Sequence, residues 1–268
     1  MASAGAFYLY LPLPAIIFGS MKQDRSERLD GIILVWIAHL STAHDSLPFL
    51  ESCLDLHERE RAARFRFPED RARFVLGRGL LRKCLGRYLH QTPETIELAY
   101  TDRGRPILTQ DETVQFSLSH THDLVAVALT TRAKVGIDLE YVQPDLDPLE
   151  LAGRIFSEGD FRTFQALPRR ETLPAFFRAW TRKEAYLKAR GEGIAEGLQQ
   201  VSVSFGPEAT ASLTDARDES AARTWRLHAL PVPADYMGSL ACDDAGKRLE
   251  CHPVHLEKGD VILDSPIS

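Results

Sequence analysis

Cysteine is scarce in this 268-residue chain: Cys53, Cys84, Cys242 and Cys251, with no C-x-x-C pair. That pattern argues against a disulfide scaffold and a four-cysteine zinc site, and it fits reduced thiols in a cytoplasmic protein. Cys242, Cys251, His252 and His255 follow no standard zinc spacing. An excess of positive charge is also lacking. The 38 acids outnumber 32 Lys/Arg for a net charge of −6, which argues against a general nucleic-acid binder. No Walker-type phosphate loop, no G-x-G-x-x-G and no Ser/His/Asp or Cys/His nucleophile arrangement stands out. Long apolar runs are missing. Ala6 to Phe18 is too short to span a bilayer and is broken by Pro12 and Pro14, so no membrane partner is expected. The first basic residue is Lys22, so the start does not read as a secretory signal, and no Arg-rich transit peptide is seen. Residues 1–30 are expected to form a mobile extension outside the fold.

What remains is a chain with 44% hydrophobic residues, enough for one large or two small cores. Ile32 to Ala38 reads as a buried strand. From Arg59 to Arg87 there are ten Lys/Arg against three Asp/Glu, a local charge of +7 in an acidic protein. A helix is expected from about Pro68, with Glu69 and Asp70 near its positive dipole end. Its apolar stripe is Phe74, Leu81, Cys84, Leu85 and Tyr88; Gly77 and Gly79 inside it hint at close packing or close ligand approach. Arg103-Gly-Arg-Pro106 is a turn. Strands are expected at Phe116–His120, Leu124–Leu129, Val135–Val142, Val201–Phe205, Thr224–Leu230 and Tyr236–Cys242. Helical segments are expected near Leu149–Leu167 and Pro174–Arg190, and Gly206–Ala222 reads as a polar loop. Strand, helices, then strands occur twice. This suggests an α+β fold of two similar halves: 31–134, then 135–256, with a tail at 257–268.

The most telling residue is Glu184. On a helical wheel, Phe176, Phe177, Trp180 and Leu187 make one apolar stripe, and Glu184 falls inside it. A core-facing carboxylate needs a cation, because an unpaired buried charge costs several kcal/mol. Lys188 is one turn on; the ordinary reading is an i, i+4 pair with Glu184, and the sharper one is a point charge on a phosphate. Asp138 and Glu140 lie two apart on a strand and share a face, while Ile137, Leu139 and Tyr141 point into a core. Alone they could be a solvent face. With Glu184 they make three carboxylates converging from two elements, which would repel without a cation between them. Hard oxygen ligands with room for water and phosphate fit Mg²⁺ best. Arg73, Arg78 and Arg82 form either a solvated face or a phosphate-recognising one, and Arg105 is a similar case. The residues alone point to a Mg²⁺-dependent enzyme acting on a phosphate-rich substrate.

These motifs resemble those of the Sfp-type 4′-phosphopantetheinyl transferases. The resemblance is carried by Gly136-Ile-Asp-Leu-Glu140, by Trp180-Thr-Arg-Lys-Glu-Ala-Tyr-Leu-Lys188 with Gly191 and Gly193, by Phe116-Ser-Leu-Ser-His120, by Gly104-Arg-Pro106 and by Arg73 before Leu76-Gly77. It covers roughly residues 31–245. It implies a pseudo-dimer of two α/β halves with the site in the cleft between them, acting as a monomer. It also implies transfer of 4′-phosphopantetheine from coenzyme A to a serine of an apo acyl or peptidyl carrier protein. By resemblance, Asp138, Glu140 and Glu184 would hold Mg²⁺. Lys188 and His120 would contact the diphosphate or the 3′-phosphate. Arg73 and Arg105 would hold the adenosine phosphates, and Ser119 would support His120 or the nucleotide. Glu184 is the first choice of base for the carrier serine, and Lys183 could contribute charge. Asp160 stands where relatives often carry a glutamate. The weighed alternative, a coenzyme-A-binding module without catalysis, fits poorly with a full set of carboxylates, Lys183 and Lys188.

Overall fold

The computed structural model describes residues 29–192, 197–244, 246–257 and 260–263. The extension expected at 1–30 therefore lies almost wholly outside the described residues, as does Gly193. The class is mixed α+β, as the sequence suggests. Strand β1 (Ile32–His39) is followed by helices α1 (Leu47–Ser52), α2 (Leu56–Ala63) and the long α3 (Pro68–Leu89). A small β2–β3 pair (Leu98–Tyr100, Pro106–Leu108) precedes β4 (Val114–Thr121), β5 (Leu124–Thr131) and β6 (Val135–Tyr141). Then come α4 (Pro148–Ile155), α5 (Glu158–Gln165) and α6 (Arg169–Arg190). The chain closes with β7 (Val201–Val203), β8 (Thr210–Ala211), β9 (Leu213–Asp215), β10 (Arg226–Ala229), β11 (Tyr236–Cys242), β12 (Arg248–Glu257) and β13 (Asp260–Leu263). Among the described residues, no helix is long and apolar enough to cross a membrane.

Two main sheets result. One is ordered β13-β12-β1-β5-β4 and the other β6-β11-β10-β8. Helix α3 covers one face of the first sheet, packing Leu76, Leu80 and Leu85 against Trp36, Val127 and Leu129. Gly79 has a packing reason: a Cβ there would stand 2.8 Å from the Leu50 carbonyl oxygen of α1. Helix α6 covers the second sheet with Phe176, Phe177 and Leu187 in its own core. The remaining faces of the sheets meet. Ile33, Val35, Leu124 and Ala126 pack on Val135, Ile137, Leu139 and Leu240, so every residue of β5 is buried.

The C-terminal segment departs from the expected division. β12 pairs in parallel with β1, Ile32 opposite Arg248, and β13 pairs with β12. Residue 256 thus falls inside a strand of the first sheet, and part of the expected tail is strand. The expected polar loop 206–222 carries the short β8 and β9, which pair with β10 and β7.

Candidate active site

The site begins with a close approach. A Cβ on Gly136 of β6 would lie 2.0 Å from the Ala185 carbonyl oxygen and 2.5 Å from the Ala189 backbone nitrogen. Only glycine lets α6 lie this near the strand. α6 starts five residues before the expected Pro174 and holds that proline inside; its C-cap Gly191 takes the left-handed conformation, φ 72°. The pleat then turns Ile137 and Leu139 into the core between the sheets, and Asp138 and Glu140 toward α6.

Asp138 and Glu184 are each 3% exposed. The Lys188 ammonium donates to Asp138 Oδ1 at 2.5 Å. Lys188 therefore serves the strand carboxylate across the groove, in place of an ordinary pair with Glu184 on its own helix. Trp180 Nε1 donates to Glu140 Oε1 at 3.1 Å. Asp138 Oδ2 and Glu184 Oε1 are buried without a hydrogen-bond partner. Burial pushes the Glu184 carboxyl up to about 7; Asp138 and Glu140 add to the rise, and Lys188 opposes it. Burial also raises Glu140, with Asp138 adding, and raises Asp138 against the pull of Lys188. The three carboxylates thus feel one another. Among the described residues, however, no three His, Cys, Asp or Glu side chains close into a metal-ligating group.

β4 lies along β6 at the edge of the other sheet, and side-chain hydroxyls join the two. Ser117 Oγ accepts from Ile137 N–H at 3.1 Å, Ser119 Oγ from Leu139 N–H at 3.1 Å, and Thr121 Oγ1 from Tyr141 N–H at 3.3 Å. Ser119 Oγ also donates to Asp138 Oδ1 at 3.3 Å. Sequence reading singled out Ser119 and missed its neighbours; their spacing of two along β4 was the available signal. His120 is the next residue and reaches solvent. Surrounding protein, then the cations Arg73, Lys188 and Arg78, hold its pKa below the usual imidazole value. Arg73 donates through Nε to the His122 carbonyl oxygen at 2.9 Å and through Nη1 to Asp70 at 2.7 Å.

On the other side of Lys188 lies a cavity of about 700 Å³, lined by Arg78, Arg105, Phe116, Leu118, Lys188 and Gly191 among others. Arg105 spends its fork on backbone: Nη1 donates to the Lys188 carbonyl at 3.0 Å and Nη2 to that of Phe116 at 3.4 Å. It ties the 101–106 turn to α6 and β4, and burial lowers its pKa. Arg73, Arg78 and Arg82 of α3 part ways. Arg82 is fully buried, bonded to Glu58 and Asp55 of the α2 segment. Arg73 approaches His120, and Arg78 faces the cavity.

Lys183 does not join this group. One residue from Glu184 on the helix is about 100° away, and Lys183 enters the core behind α6. Its ammonium donates to the carbonyls of Ile155 at 3.0 Å and Leu198 at 2.9 Å and stands 3.6 Å from Asp160. Burial lowers its pKa to about 8, and Asp160 opposes this. Asp160 also accepts from Ser202 Oγ at 2.8 Å, so both residues brace α4, α5 and β7.

The arrangement unites Asp138, Glu140, Glu184, Lys188, Ser119, His120 and, at the rim, Arg73, with Arg105 across the cavity. A carboxyl near neutrality beside cations and a cavity of nucleotide size suits transfer chemistry on a phosphorylated ligand. Comparison with known proteins agrees. The 4′-phosphopantetheinyl transferase superfamily profile matches residues 134–241, and the profile of 4′-phosphopantetheinyl transferase, N-terminal, matches residues 41–132. The chain is 40% identical over 198 residues to the 4′-phosphopantetheinyl transferase HetI of Nostoc sp., covering 73% of this chain and 83% of HetI. It is 30% identical over 218 residues to the 4′-phosphopantetheinyl transferase psf-1 of Bacillus pumilus, covering 77% and 92% respectively. A solved holo-(acyl-carrier-protein) synthase from Bacillus anthracis, in complex with CoA (3′,5′-ADP), matches 37% of this chain and 93% of its own at 24% identity. Its TM-score of 0.31 is too low to inform the site.

Proposed function

The chain belongs to the 4′-phosphopantetheinyl transferase superfamily, and from that premise we propose that it moves 4′-phosphopantetheine from coenzyme A to a serine of an apo acyl or peptidyl carrier protein, with Mg²⁺ at the carboxylates. The observation that carries this reading is the pair of buried, partnerless oxygens, Asp138 Oδ2 and Glu184 Oε1. Orphaned carboxylate oxygens of this kind cost free energy unless a cation meets them. The donor set is all oxygen, with Glu140 beside it, and suits Mg²⁺ over a softer metal. Asp138, Glu140 and Glu184 would hold the ion; when bound it would neutralise charge developing on the diphosphate.

The chain's own residues do the rest. Lys188, between cavity and carboxylates, holds the diphosphate, and His120 and Arg73 add cationic or donor groups at the rim. The carrier serine Oγ attacks the phosphorus that bears pantetheine. The bond from that phosphorus to the bridging oxygen breaks, and adenosine 3′,5′-bisphosphate leaves. Glu184, beside the diphosphate site, takes the serine proton. The two-half reading belongs to this proposal: α3 and α6, 22 residues each, cover one sheet apiece, and the site lies where the sheets meet. The enzyme is expected to act as a cytoplasmic monomer.

The test is to incubate protein, coenzyme A, Mg²⁺ and several apo carriers and to weigh the carriers. A mass gain of one phosphopantetheine on a carrier serine is expected, and no gain on any carrier overturns the proposal. Titrating Mg²⁺ into the chelator-treated protein without substrate should release heat, and Glu184→Gln should abolish it. An unchanged isotherm in the variant would remove Glu184 from the ion.

A further inference from the structure

The last turn of α6 carries chemistry on one face and a brace on the other. Lys188 reaches Asp138. Tyr186 and Arg190, each two residues away, lie about 200° round the helix. Behind α6 they meet the end of β9 and the chain after it, which sequence reading took for a polar loop. Asp215 closes β9, and its side chain is fully buried. The Tyr186 hydroxyl donates to Asp215 Oδ2 at 2.9 Å. The Arg217 fork holds both Asp215 oxygens, Nε on Oδ1 at 2.9 Å and Nη2 on Oδ2 at 2.8 Å. Arg190 donates to the Tyr186 hydroxyl at 3.0 Å, to Asp218 at 3.1 Å and to Glu192 Oε1 at 2.6 Å. Arg217 Nη1 stands 2.8 Å from the other Glu192 oxygen, an ion pair rather than an aligned hydrogen bond. The network thus runs from Asp215 to Glu192 by two routes, and Glu192 directly follows the Gly191 C-cap.

The Gly136 contact sets how near α6 lies to β6. Glycine against Ala185 and Ala189 is a smooth contact, so axial slide and rotation of the helix are set elsewhere. Apolar packing of Tyr186 on Trp225, ring centroids 5.0 Å apart, tolerates small shifts. A buried network of charged hydrogen bonds does not. It adds little net stability, but it is satisfied in one register only. We propose that Asp215 is a positioning residue for transfer: through Tyr186, Arg217 and Arg190 it holds the last turn of α6 in the register that sets the Lys188 ammonium on Asp138. The inference rests on the transferase reading, in which Lys188 holds the diphosphate.

The experiment is a double-mutant cycle. Transfer rates per folded molecule are measured for the wild type, Asp215→Asn, Lys188→Met and the double variant. Asparagine keeps the shape of Asp215 but removes the charge that holds the Arg217 fork. Alone it should lower kcat/KM by about 10- to 100-fold, the cost of misplacing a group by about 1 Å, with the loss divided between kcat and KM as in Lys188→Met. In the Lys188→Met background it should cost no more than about 2-fold, because the group it positions is gone. A merely structural role gives the same factor in both backgrounds. Equal factors, or no loss in Asp215→Asn alone, overturn the inference. Coenzyme A affinity, followed by calorimetry on the same four proteins, should show the same non-additivity. Should Asp215→Asn fail to fold, Tyr186→Phe removes a single hydroxyl from the network. Alone it should cost about 3- to 10-fold, and an equal cost in the Lys188→Met background overturns the inference. A wild type that binds coenzyme A yet modifies no carrier defeats the transferase reading, and the calorimetric cycle then decides separately on Asp215.

Discussion

Gly136→Ala tests whether the contact between β6 and α6 sets the site. The added methyl would stand 2.0 Å from the Ala185 carbonyl oxygen, 2.5 Å from the Ala189 nitrogen and 3.0 Å from the Ala189 Cβ. Two of these are backbone atoms of a helix, so no side chain can turn aside. Ordinary contact needs about 3.5 Å, so α6 must retreat by about 1 Å or more. Such overpacking costs about 1–3 kcal/mol, with the upper end expected against backbone. The lower entropy of the unfolded alanine chain returns only about 0.4–1 kcal/mol, so the clash wins. A net loss of about 2 kcal/mol should lower the melting temperature by roughly 4–8 °C in a protein of this size. The effect on rate should be larger. β6 carries Asp138 and Glu140, α6 carries Glu184 and Lys188, and a 1 Å error in such a group costs about 100-fold. Urea melts should show a lower midpoint with an unchanged slope, and carrier-modification rates should fall about 100-fold while the protein remains folded. Full rate with an unchanged midpoint would refute the reasoning.

Glu184 predicts a pH dependence. Its folded pKa, about 7, lies above the unfolded value near 4.3, so the metal-free folded protein holds this proton more tightly than the unfolded chain. Its contribution to stability is full below about pH 4 and is lost as pH rises through 7. Glu184→Gln should flatten the melting-temperature profile between about pH 5 and 7, and a profile identical to wild type would contradict the assignment. Lys183→Met should destabilise by about 3–5 kcal/mol, because it strands the carbonyls of Ile155 and Leu198 and leaves Asp160 without its cation. The remaining folded fraction should retain near-normal kcat, and a kcat loss without destabilisation would return Lys183 to the chemistry.

The parts of the site that were legible in the sequence obeyed one local period. A 3.6-residue repeat places Glu184 with Phe177 and Trp180, and a two-residue repeat places Asp138 with Glu140. The same rules set Ile137 and Leu139 in a core. What failed to show depended on distant partners. Lys183 looked available on the wheel, but the carbonyls that hold it come from Ile155 and Leu198. Arg82 looked like part of a solvated basic face because its carboxylates sit on the preceding helical segment at Asp55 and Glu58. β12 carries Pro253 and alternating polar residues, and only its parallel pairing with β1 makes it a strand of the first sheet. Gly136 was visible as a motif position, but the reason for it is a helix fifty residues away in sequence.

The hydroxyl ladder explains why the site forms at a seam. β4 and β6 each end a sheet, and direct backbone pairing would have merged the two sheets. Instead Ser117, Ser119 and Thr121 accept the outward N–H groups of Ile137, Leu139 and Tyr141. The edge donors of β6 are satisfied, and the strands stay apart by a side chain's length. The substitution has a chemical consequence. A backbone carbonyl only accepts, whereas a hydroxyl accepts and donates at once. Ser119 uses both capacities, taking the Leu139 N–H and giving its own proton to Asp138 Oδ1. With Lys188 on the same oxygen, the Asp138 carboxylate is oriented from two elements, and Oδ2 is left over. The device that keeps the sheets separate is therefore also one that fixes the Asp138 carboxylate by one oxygen and leaves the other without a partner, and His120, the next residue of β4, is carried to the rim by the same strand.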